Sequence, residues 1–503
     1  MQEISNQQRM ISFVLSLLAL ICGYFFYGRF VEHVFGPDDR PTPAVAKADG
    51  VDFMVLPSWK VFMIQFLNIA GTGPIFGAIM GAKFGPVAYL WIVFGCIFAG
   101  AVHDYLSGML SIRHGGANLP DMVGQYLGKV AQKIMLVFST VLLMMVGVVF
   151  VFSPAKIMGG IWEPTFFVEN FGSYFFWIAV IFFYYIIATM LPIDKIIGKI
   201  YPLFAFSLIF MALALMAVLF LKWPQVPEIW EEFGNMGAER YGMNSLIFPG
   251  LFITIACGAI SGFHATQSPL MARCVKDESM GRPIFYGAMI TEGIVALIWA
   301  TVAMYFFYDE PTPGYQIIKG GADALNDAPS VVNIICNDWL GVFGGILAML
   351  GVVAAPITSG DTAFRSCRLI IADFLKLKQH SIRNRLMVCI PIFAAAIALL
   401  VWQMADKDGF NVIWNWFGWS NQTLSVFTLW TTTVYLVMQK KAYFITLIPA
   451  LLMTTVCSTF LFVSGQAFGL PVEVGYPLGI AVLLIAITWF TLWKRKNSIS
   501  NIN

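Results

Sequence analysis

The sequence predicts an all-α protein that crosses a membrane many times, and three observations support this. Of the 503 residues, 59% are hydrophobic and 12% are charged, whereas a soluble domain carries about 25% charged residues. The apolar residues form long runs, and most of the basic residues lie between alternate runs. Two of the runs are interrupted by glycine, proline or clustered polar residues. This composition leaves little room for a separate soluble domain.

Thirteen apolar runs are candidates for membrane spans, which need about 20 residues each. They are residues 10–29, 59–82, 85–111, 131–152, 172–191, 200–221, 246–269, 283–308, 339–360, 385–403, 412–438, 442–463 and 475–493. If the segment after the first span is cytoplasmic, most of the 30 Lys and Arg residues lie on the inner side, as the positive-inside rule requires. We therefore predict that the N-terminus is outside the cell and the C-terminus is cytoplasmic.

The run from Trp59 to Pro86 has the sequence Gly71-Thr72-Gly73-Pro74 at its centre. Pro74 removes a backbone donor, and the two glycines loosen the chain on either side of Thr72. In hydrocarbon, a freed backbone group is tolerated only where it is buried in protein or lines a wet cavity. The run is therefore predicted to be a discontinuous helix whose unwound centre lines a binding site.

A second interruption lies in the seventh run, at residues 261–269. The two broken runs begin five spans apart, so the units 59–221 and 246–438 are inverted relative to each other, which is the LeuT-type arrangement. Residues 1–58 would add a first helix and a cytoplasmic linker, and residues 439–503 two C-terminal helices and a basic tail. Paired interrupted helices of this kind point to the binding site of a transporter.

The residues at the two breaks are the candidate substrate-binding residues. The N-terminus of a half-helix carries a partial positive charge and would favour a carboxylate. We predict that the substrate is bound by Gly71, Thr72, Gly73, Pro74, Ser261, His264, Gln267 and Ser268. His264 could also change protonation during transport. The alternatives are that the glycines serve helix packing and that His264 is a neutral partner of the freed backbone.

Four ionisable residues are candidates for coupling transport to a proton. His103 and Asp104 lie inside the third span, where a charge costs at least about 2.5 kcal/mol to insert. Lys199 begins the sixth span, and Asp361 follows the end of the ninth. The alternatives are a structural salt bridge for Asp104 and an interfacial anchor for Lys199.

Two further groups complete the set of candidate residues. In LeuT-type transporters, the helix equivalent to the ninth span can offer a Thr-Ser pair to sodium, and hard cations take oxygen ligands. Thr358 and Ser359 match this pair, although they could simply cap the end of the helix. Trp414, Trp416 and Trp419 open the eleventh span and form either an outer gate or part of an aromatic belt.

Three long segments resemble the signature of the carbon starvation protein A (CstA) family. These segments are residues 69–116, 198–204 and 261–274, and the resemblance continues in patches to about residue 440. It implies a transporter of the bacterial inner membrane that is linked to peptide uptake and to proton-coupled pyruvate uptake during nutrient limitation. Many family members are longer than this chain and have more C-terminal spans.

We therefore predict an ion-coupled symporter that imports a pyruvate-like monocarboxylate or short peptides in the carbon-starvation response. The predicted coupling ion is a proton, with sodium as the alternative. The predicted partners are a small-molecule substrate and membrane lipid, without nucleic acid or a cofactor.

The eight cysteines show no metal-ligand spacing and are predicted to act as small hydrophobic residues. Because no P-loop or catalytic motif is present, we predict neither ATP-driven transport nor an enzyme. A channel and a membrane-embedded nutrient sensor remain as alternatives.

Overall fold

The computed structural model describes residues 10–50, 52–190, 193–242, 246–308, 328–377, 381–406 and 409–499. Most of these residues are helical, and none of them forms a strand. The long apolar helices confirm the predicted all-α, multi-pass membrane protein.

The helices follow the order of the predicted spans. The first half contains α1 (Ile11–Phe35), α2 (Ser58–Ile69), α3 (Gly73–Phe84), α4 (Val87–Arg113), α5 (Leu119–Leu127), α6 (Lys129–Ile161), α7 (Phe175–Met190) and α8 (Ile193–Lys222). The second half contains α9 (residues 247–254), α10 (His264–Ala272), α11 (Glu278–Tyr308), α12 (Ala328–Phe374), α13 (Ile382–Ala405), α14 (Gly409–Met438), α15 (Phe444–Val463) and α16 (Val472–Ile499).

The number of spans stays a prediction. A helix occupies each of the thirteen predicted runs. Within the described ranges, eight helices are long and apolar enough to cross a membrane, or up to ten if two bent pairs each count as one span. The division into units 59–221 and 246–438, flanked by residues 1–58 and 439–503, likewise stays a prediction.

The first broken helix consists of α2 and α3, which meet at an angle of 53° across residues 70–72. Gly73, Gly77 and Gly81 recur every four residues and lie on one face of α3, turned toward the second broken helix. A Cβ atom at Gly73 would lie 2.3 Å from Sγ of Cys257, and one at Gly77 would lie 2.9 Å from a backbone oxygen of the same segment. The glycines therefore let the two backbones touch, as small residues do between membrane helices.

The second break begins earlier than the sequence predicts. Helix α9 ends at Thr254, and α10 begins at His264, so the predicted break at 261–269 is placed too late. The chain turns at Gly258, whose φ of +89° suits glycine and strains other residues. Pro269, by contrast, is accommodated inside α10.

Helix α11 packs against α2 and α3, and α4 packs against α10. Close approaches of Gly258 to Ala296 and of Gly293 to Gly258 also bring α11 against the unwound segment of the second broken helix. The long helices α6 and α12 pack against each other, and α8 packs against α12 and α2. Helices α14, α15 and α16 pack in sequence, with α14 also contacting α6 and α4. The two breaks are thus enclosed by continuous helices.

Candidate functional site

Three ionisable side chains from three helices meet beside the second break. Asp104 comes from α4, His264 is the first residue of α10, and Glu292 comes from α11, and all three are completely buried. Nδ1 of His264 lies 2.8 Å from Oδ2 of Asp104, and Nε2 of His264 lies 3.4 Å from Oε2 of Glu292. The imidazole ring therefore connects two carboxyl groups on different helices.

Asp104 also contacts a second imidazole ring. Nδ1 of His103 lies 2.8 Å from Oδ1 of Asp104, and the His103 ring is completely buried. Two predicted coupling residues thus lie in one cluster with the predicted substrate residue His264. The described side-chain partners of Asp104 are the two histidines.

Two glycines on α4 allow Asp104 to reach this position. A Cβ atom at Gly100 would lie 2.2 Å from the carbonyl oxygen of Ala259, and one at Gly108 would lie 2.7 Å from the ring of Phe285. Gly100, Asp104 and Gly108 are spaced by four residues and share one helix face. Helix α4 therefore approaches the unwound segment closely enough for Asp104 to meet His264.

The first break carries polar groups that lack partners. Gln65, Asn68 and Thr72 are spaced by three and four residues, and their side chains are completely buried. Within the described part of the chain, both amide atoms of Asn68, Oε1 of Gln65 and Oγ1 of Thr72 make no hydrogen bond. Leaving a buried polar group unsatisfied costs about 1–3 kcal/mol, so this face is suited to receive a polar ligand.

The four predicted residues of the first break have different surroundings. A Cβ atom at Gly71 would lie 2.7 Å from the ring of Phe150, so Gly71, like Gly73, is a position of close packing. Pro74 is near the start of α3, where its missing backbone donor has little cost. Thr72 is the one of the four whose side chain offers an unpaired group.

The polar residues of α10 are mostly satisfied by local hydrogen bonds. Ser268 donates to the carbonyl of His264 over 3.0 Å, and Nε2 of Gln267 donates to the hydroxyl of Thr266 over 2.9 Å. Oε1 of Gln267 has no hydrogen bond from any described residue. Of the predicted substrate residues on α10, Gln267 and His264 retain groups that could contact a ligand.

Asn421 of α14 stabilises the second break. Its Oδ1 atom accepts hydrogen bonds from the backbone of Phe263 over 2.6 Å and from the hydroxyl of Ser261 over 3.0 Å. Its own carbonyl accepts one from the backbone of Gly262 over 3.1 Å. The freed backbone groups are thus paired within the protein, as membrane depth requires.

The candidate sodium pair lies against the first broken helix. Ser359 donates to the carbonyl of Leu67, near the end of α2, over 3.0 Å. Thr358 donates to the carbonyls of Ala354 and Ala355 in its own helix. The hydroxyl of Ser359 therefore faces the first break, while that of Thr358 is engaged within α12.

Of the two remaining coupling candidates, the structure describes the side chain of Asp361. Asp361 is completely buried, and its Oδ2 atom accepts a 2.6 Å hydrogen bond from the hydroxyl of Tyr201. Its other oxygen makes no hydrogen bond with the residues that the structure describes. The side chain of Lys199 lies outside the described part of the chain.

The three tryptophans of the predicted gate point to different neighbours. The Trp414 ring lies 6.0 Å from that of Phe76 on α3, next to the first break. Trp416 and Trp419 contact each other at 5.6 Å, and the indole of Trp419 donates to the carbonyl of Cys457 on α15. Trp414 is thus the member of the trio that touches a broken helix.

One end of the bundle is joined by ion pairs. Arg113 at the end of α4 lies 3.0 Å from Glu278, which is completely buried, and the backbone of Asp38 donates to Glu278. A side-chain hydrogen bond from Arg40 lowers the pKa of Asp38 to about 2, so Asp38 stays charged at neutral pH. These contacts hold the segment after α1 against the cluster's helices at that end.

Sequence reasoning missed several residues of this site. Glu292 is a single acidic residue within an apolar run, and the rule that an ionisable residue at membrane depth has a partner and a role would have selected it. Asn68 carried the same kind of signal, since an amide directly before the break lies at membrane depth. Cys257 carried no signal, because its neighbours come from other parts of the chain.

Comparison with known proteins shows which family and relatives this chain resembles. The family model described as carbon starvation protein CstA matches residues 8–168, 148–342 and 318–460. An uncharacterized membrane protein of Haemophilus influenzae is 46% identical over 358 residues, which cover 63% of this chain and 96% of that protein. A protein of Bacillus subtilis named peptide transporter CstA is 26% identical over 581 residues, covering 96% of this chain and 97% of the relative.

Solved structures support the fold. The manganese transporter of Eremococcus coleocola superposes with a TM-score of 0.55 at 11% identity, covering 89% of this chain and 99% of that one. A likeness at this identity concerns the fold alone. It confirms the LeuT-type arrangement that the sequence predicts.

Proposed function

Because this chain belongs to the carbon starvation protein CstA family, we propose that it is a secondary active transporter that imports a small carboxylate-bearing nutrient together with a proton. Several relatives are named peptide transporter CstA, so short peptides are one proposed substrate class. Pyruvate-like monocarboxylates, which the family resemblance implies, are the other. Both classes share a carboxylate, and their uptake would serve the cell during carbon starvation.

The observation that carries this proposal is the contact between the two broken helices beside buried, unpaired polar groups. Asn68 and Thr72 offer such groups at the first break, and His264 begins the half-helix that follows the second. The N-termini of α3 and α10 favour a negative charge. A carboxylate bound between them could be reached from either side as the surrounding helices rearrange.

A proton is the proposed coupling ion because the buried carboxyl groups lie beside imidazole rings. Asp104 contacts two histidines, and Glu292 faces His264. Such a cluster can take up or lose a proton, whereas a fixed charge at membrane depth is costly. Asp361, held by Tyr201, is a second candidate proton carrier. Sodium beside Ser359 is the competing ion.

The proposed location is the inner membrane of a bacterium, with the N-terminus outside and the C-terminus in the cytoplasm. The distribution of Lys and Arg along the sequence supports this orientation. The end of the bundle that carries Arg113 and Glu278 would then be the cytoplasmic end, and its ion pairs would close the inner side of the transport path.

Uptake by purified protein in proteoliposomes tests the proposal. Labelled pyruvate and a labelled dipeptide are offered under an inward proton gradient and then under an inward sodium gradient. We expect one of the two solutes to accumulate above its external concentration with the proton gradient, and a protonophore to abolish the accumulation.

The other outcomes of the uptake assay each indicate a different coupling ion or a different class of membrane protein. Accumulation that follows only the sodium gradient would move coupling to Thr358 and Ser359. Flux that equalises the two sides without accumulation would indicate a channel, and saturable binding without translocation would indicate a sensor. Liposomes without protein serve as the inactive control.

A further inference from the structure

We propose that Cys257, His264 and Glu292 form a binding site for one divalent transition-metal ion of the zinc class. Sγ of Cys257, a ring nitrogen of His264 and a carboxylate oxygen of Glu292 all lie within 4.8 Å of one another, and all three residues are buried. Thiolate, imidazole and carboxylate are the three ligand types that zinc takes in proteins. The proposal reaches beyond transport, since it concerns a ligand other than the transported nutrient. With the ion bound, Asp104 and Asp361 are the carboxyl groups left to carry the coupled proton.

The spacing of two ligand atoms matches that of a metal centre. Two nitrogen or oxygen ligands at about 2.0–2.1 Å from a tetrahedral zinc ion lie about 3.3–3.4 Å apart. Nε2 of His264 and Oε2 of Glu292 are 3.4 Å apart. Sγ of Cys257 lies within 4.8 Å of both residues' ligand atoms. A three-residue set of this kind leaves a fourth position for water or another ligand.

The partners of these three residues are those of a metal site. His264 points one nitrogen at Asp104 over 2.8 Å and the other at Glu292, which is the carboxylate–histidine arrangement that orients an imidazole ligand. The amide of Asn421 donates to Sγ of Cys257 over 3.8 Å and would stabilise a thiolate there.

The unpaired atoms of the cluster point to a missing ligand. Among the described residues, neither oxygen of Glu292 nor Nε2 of His264 makes a hydrogen bond of normal geometry. These atoms are completely buried, and buried polar atoms are almost always satisfied. A metal ion bound between them would satisfy Nε2 of His264 and one oxygen of Glu292. It would also fasten the second broken helix to α11.

Metal binding by the purified full-length protein tests this proposal without reference to transport. The protein is stripped with a chelator and titrated with Co²⁺, which replaces zinc and gives a thiolate-to-metal charge-transfer absorption band. We expect the band to saturate at one ion per chain and to disappear when Zn²⁺ is added. A wild-type protein that gives no such band would overturn the proposal.

Three variants identify the ligands. Cys257→Ser should abolish the band, whereas Cys367→Ser, which changes another buried cysteine, should retain it. Asp104→Asn should keep the band with an affinity about 10–100-fold weaker, as is usual when the partner of a histidine ligand is lost. An unchanged band in Cys257→Ser would place the ion elsewhere and contradict the proposal.

A further variant covers the case in which Cys257→Ser does not fold. Glu292→Gln keeps the thiolate and the band, and its Co²⁺ affinity should fall at least 10-fold. Wild-type affinity in a folded Glu292→Gln protein would contradict the assignment. Because these readouts report metal binding, their failure would leave the transport proposal standing, and failure of uptake would not alter them.

Discussion

The two broken helices differ in whether the polar groups at the break are paired by hydrogen bonds. At the second break, Asn421 pairs the freed backbone of Phe263, and the unwound segment carries a connected group of ionisable residues. At the first break the chain is interrupted for only three residues, and the side chains of Asn68 and Thr72 are buried without hydrogen bonds from the described residues. The proposed transport site would then have a division of labour, in which the first break offers polar groups to the solute and the second carries the ionisable residues beside it.

The largest expected effect tests whether the two breaks must touch. In Gly73→Leu the new side chain would start 2.3 Å from Cys257, and overpacking of this kind typically costs about 1–3 kcal/mol or more. We expect uptake to be abolished while the protein still inserts into the membrane. Labelled-solute uptake and size-exclusion chromatography measure the two properties.

Gly465→Leu is the matched control, since a Cβ atom there meets no other atom within 4 Å. This variant should transport like the wild type. Normal uptake by a well-inserted Gly73→Leu protein would remove the central role of the contact.

The next effect tests the charge of the second break. Asp104→Asn removes the carboxylate that contacts His103 and His264. We expect proton-driven accumulation to fall to the level of empty liposomes, while exchange of internal for external solute persists. Counterflow assays separate the two activities. If accumulation survives in this variant, the proton is carried elsewhere, with Asp361→Asn as the next variant to examine.

A smaller effect concerns stability at the second break. Asn421→Ala leaves the buried donors of Phe263 and Ser261 without their acceptor, and each unsatisfied group costs about 1–3 kcal/mol. Thermal unfolding in detergent should therefore occur at a lower temperature. Asn415→Ala, at a partly exposed position of the same helix, should change the free energy of unfolding by less than about 0.5 kcal/mol.

The smallest expected effect compares the same residue type, asparagine, at the two breaks. Asn68→Ala removes two unpaired polar atoms, so it should leave thermal stability unchanged or slightly raised. It should weaken solute binding about 10-fold, the equivalent of one hydrogen bond of about 1.4 kcal/mol. Asn68 and Asn421 are the same residue type at the two breaks, and a loss of stability in Asn68→Ala would contradict the proposed division.

The sequence predicted the fold well because hydrophobic runs and glycine–proline breaks are local signals. The positions of Gly71 and Pro74 predicted the location of the first break to within a few residues. The second break was placed too late, because the polar run around Gln267 resembles an interruption and yet forms a regular half-helix. The turn at Gly258, a single glycine in an apolar run, gave a weaker signal.

The candidate site was harder to predict because its partners come from different spans. His103 and Asp104 were selected by the cost of placing them in a membrane, and His264 by its position at the second break. Nothing local shows that Asp104 meets both histidines. Glu292 was missed although the same cost applies to it. The contact of Cys257 with Gly73 depends on tertiary packing alone.

The row of glycines on one face of α3, formed by Gly73, Gly77 and Gly81, limits how the sequence of this protein can change over evolution. The space against the second broken helix excludes even a methyl group at Gly73 and Gly77. A saturation mutagenesis experiment would therefore show positions that tolerate glycine alone, spaced one helical turn apart, beside lipid-facing positions that accept most apolar residues. These glycines can change only if the facing segment changes with them.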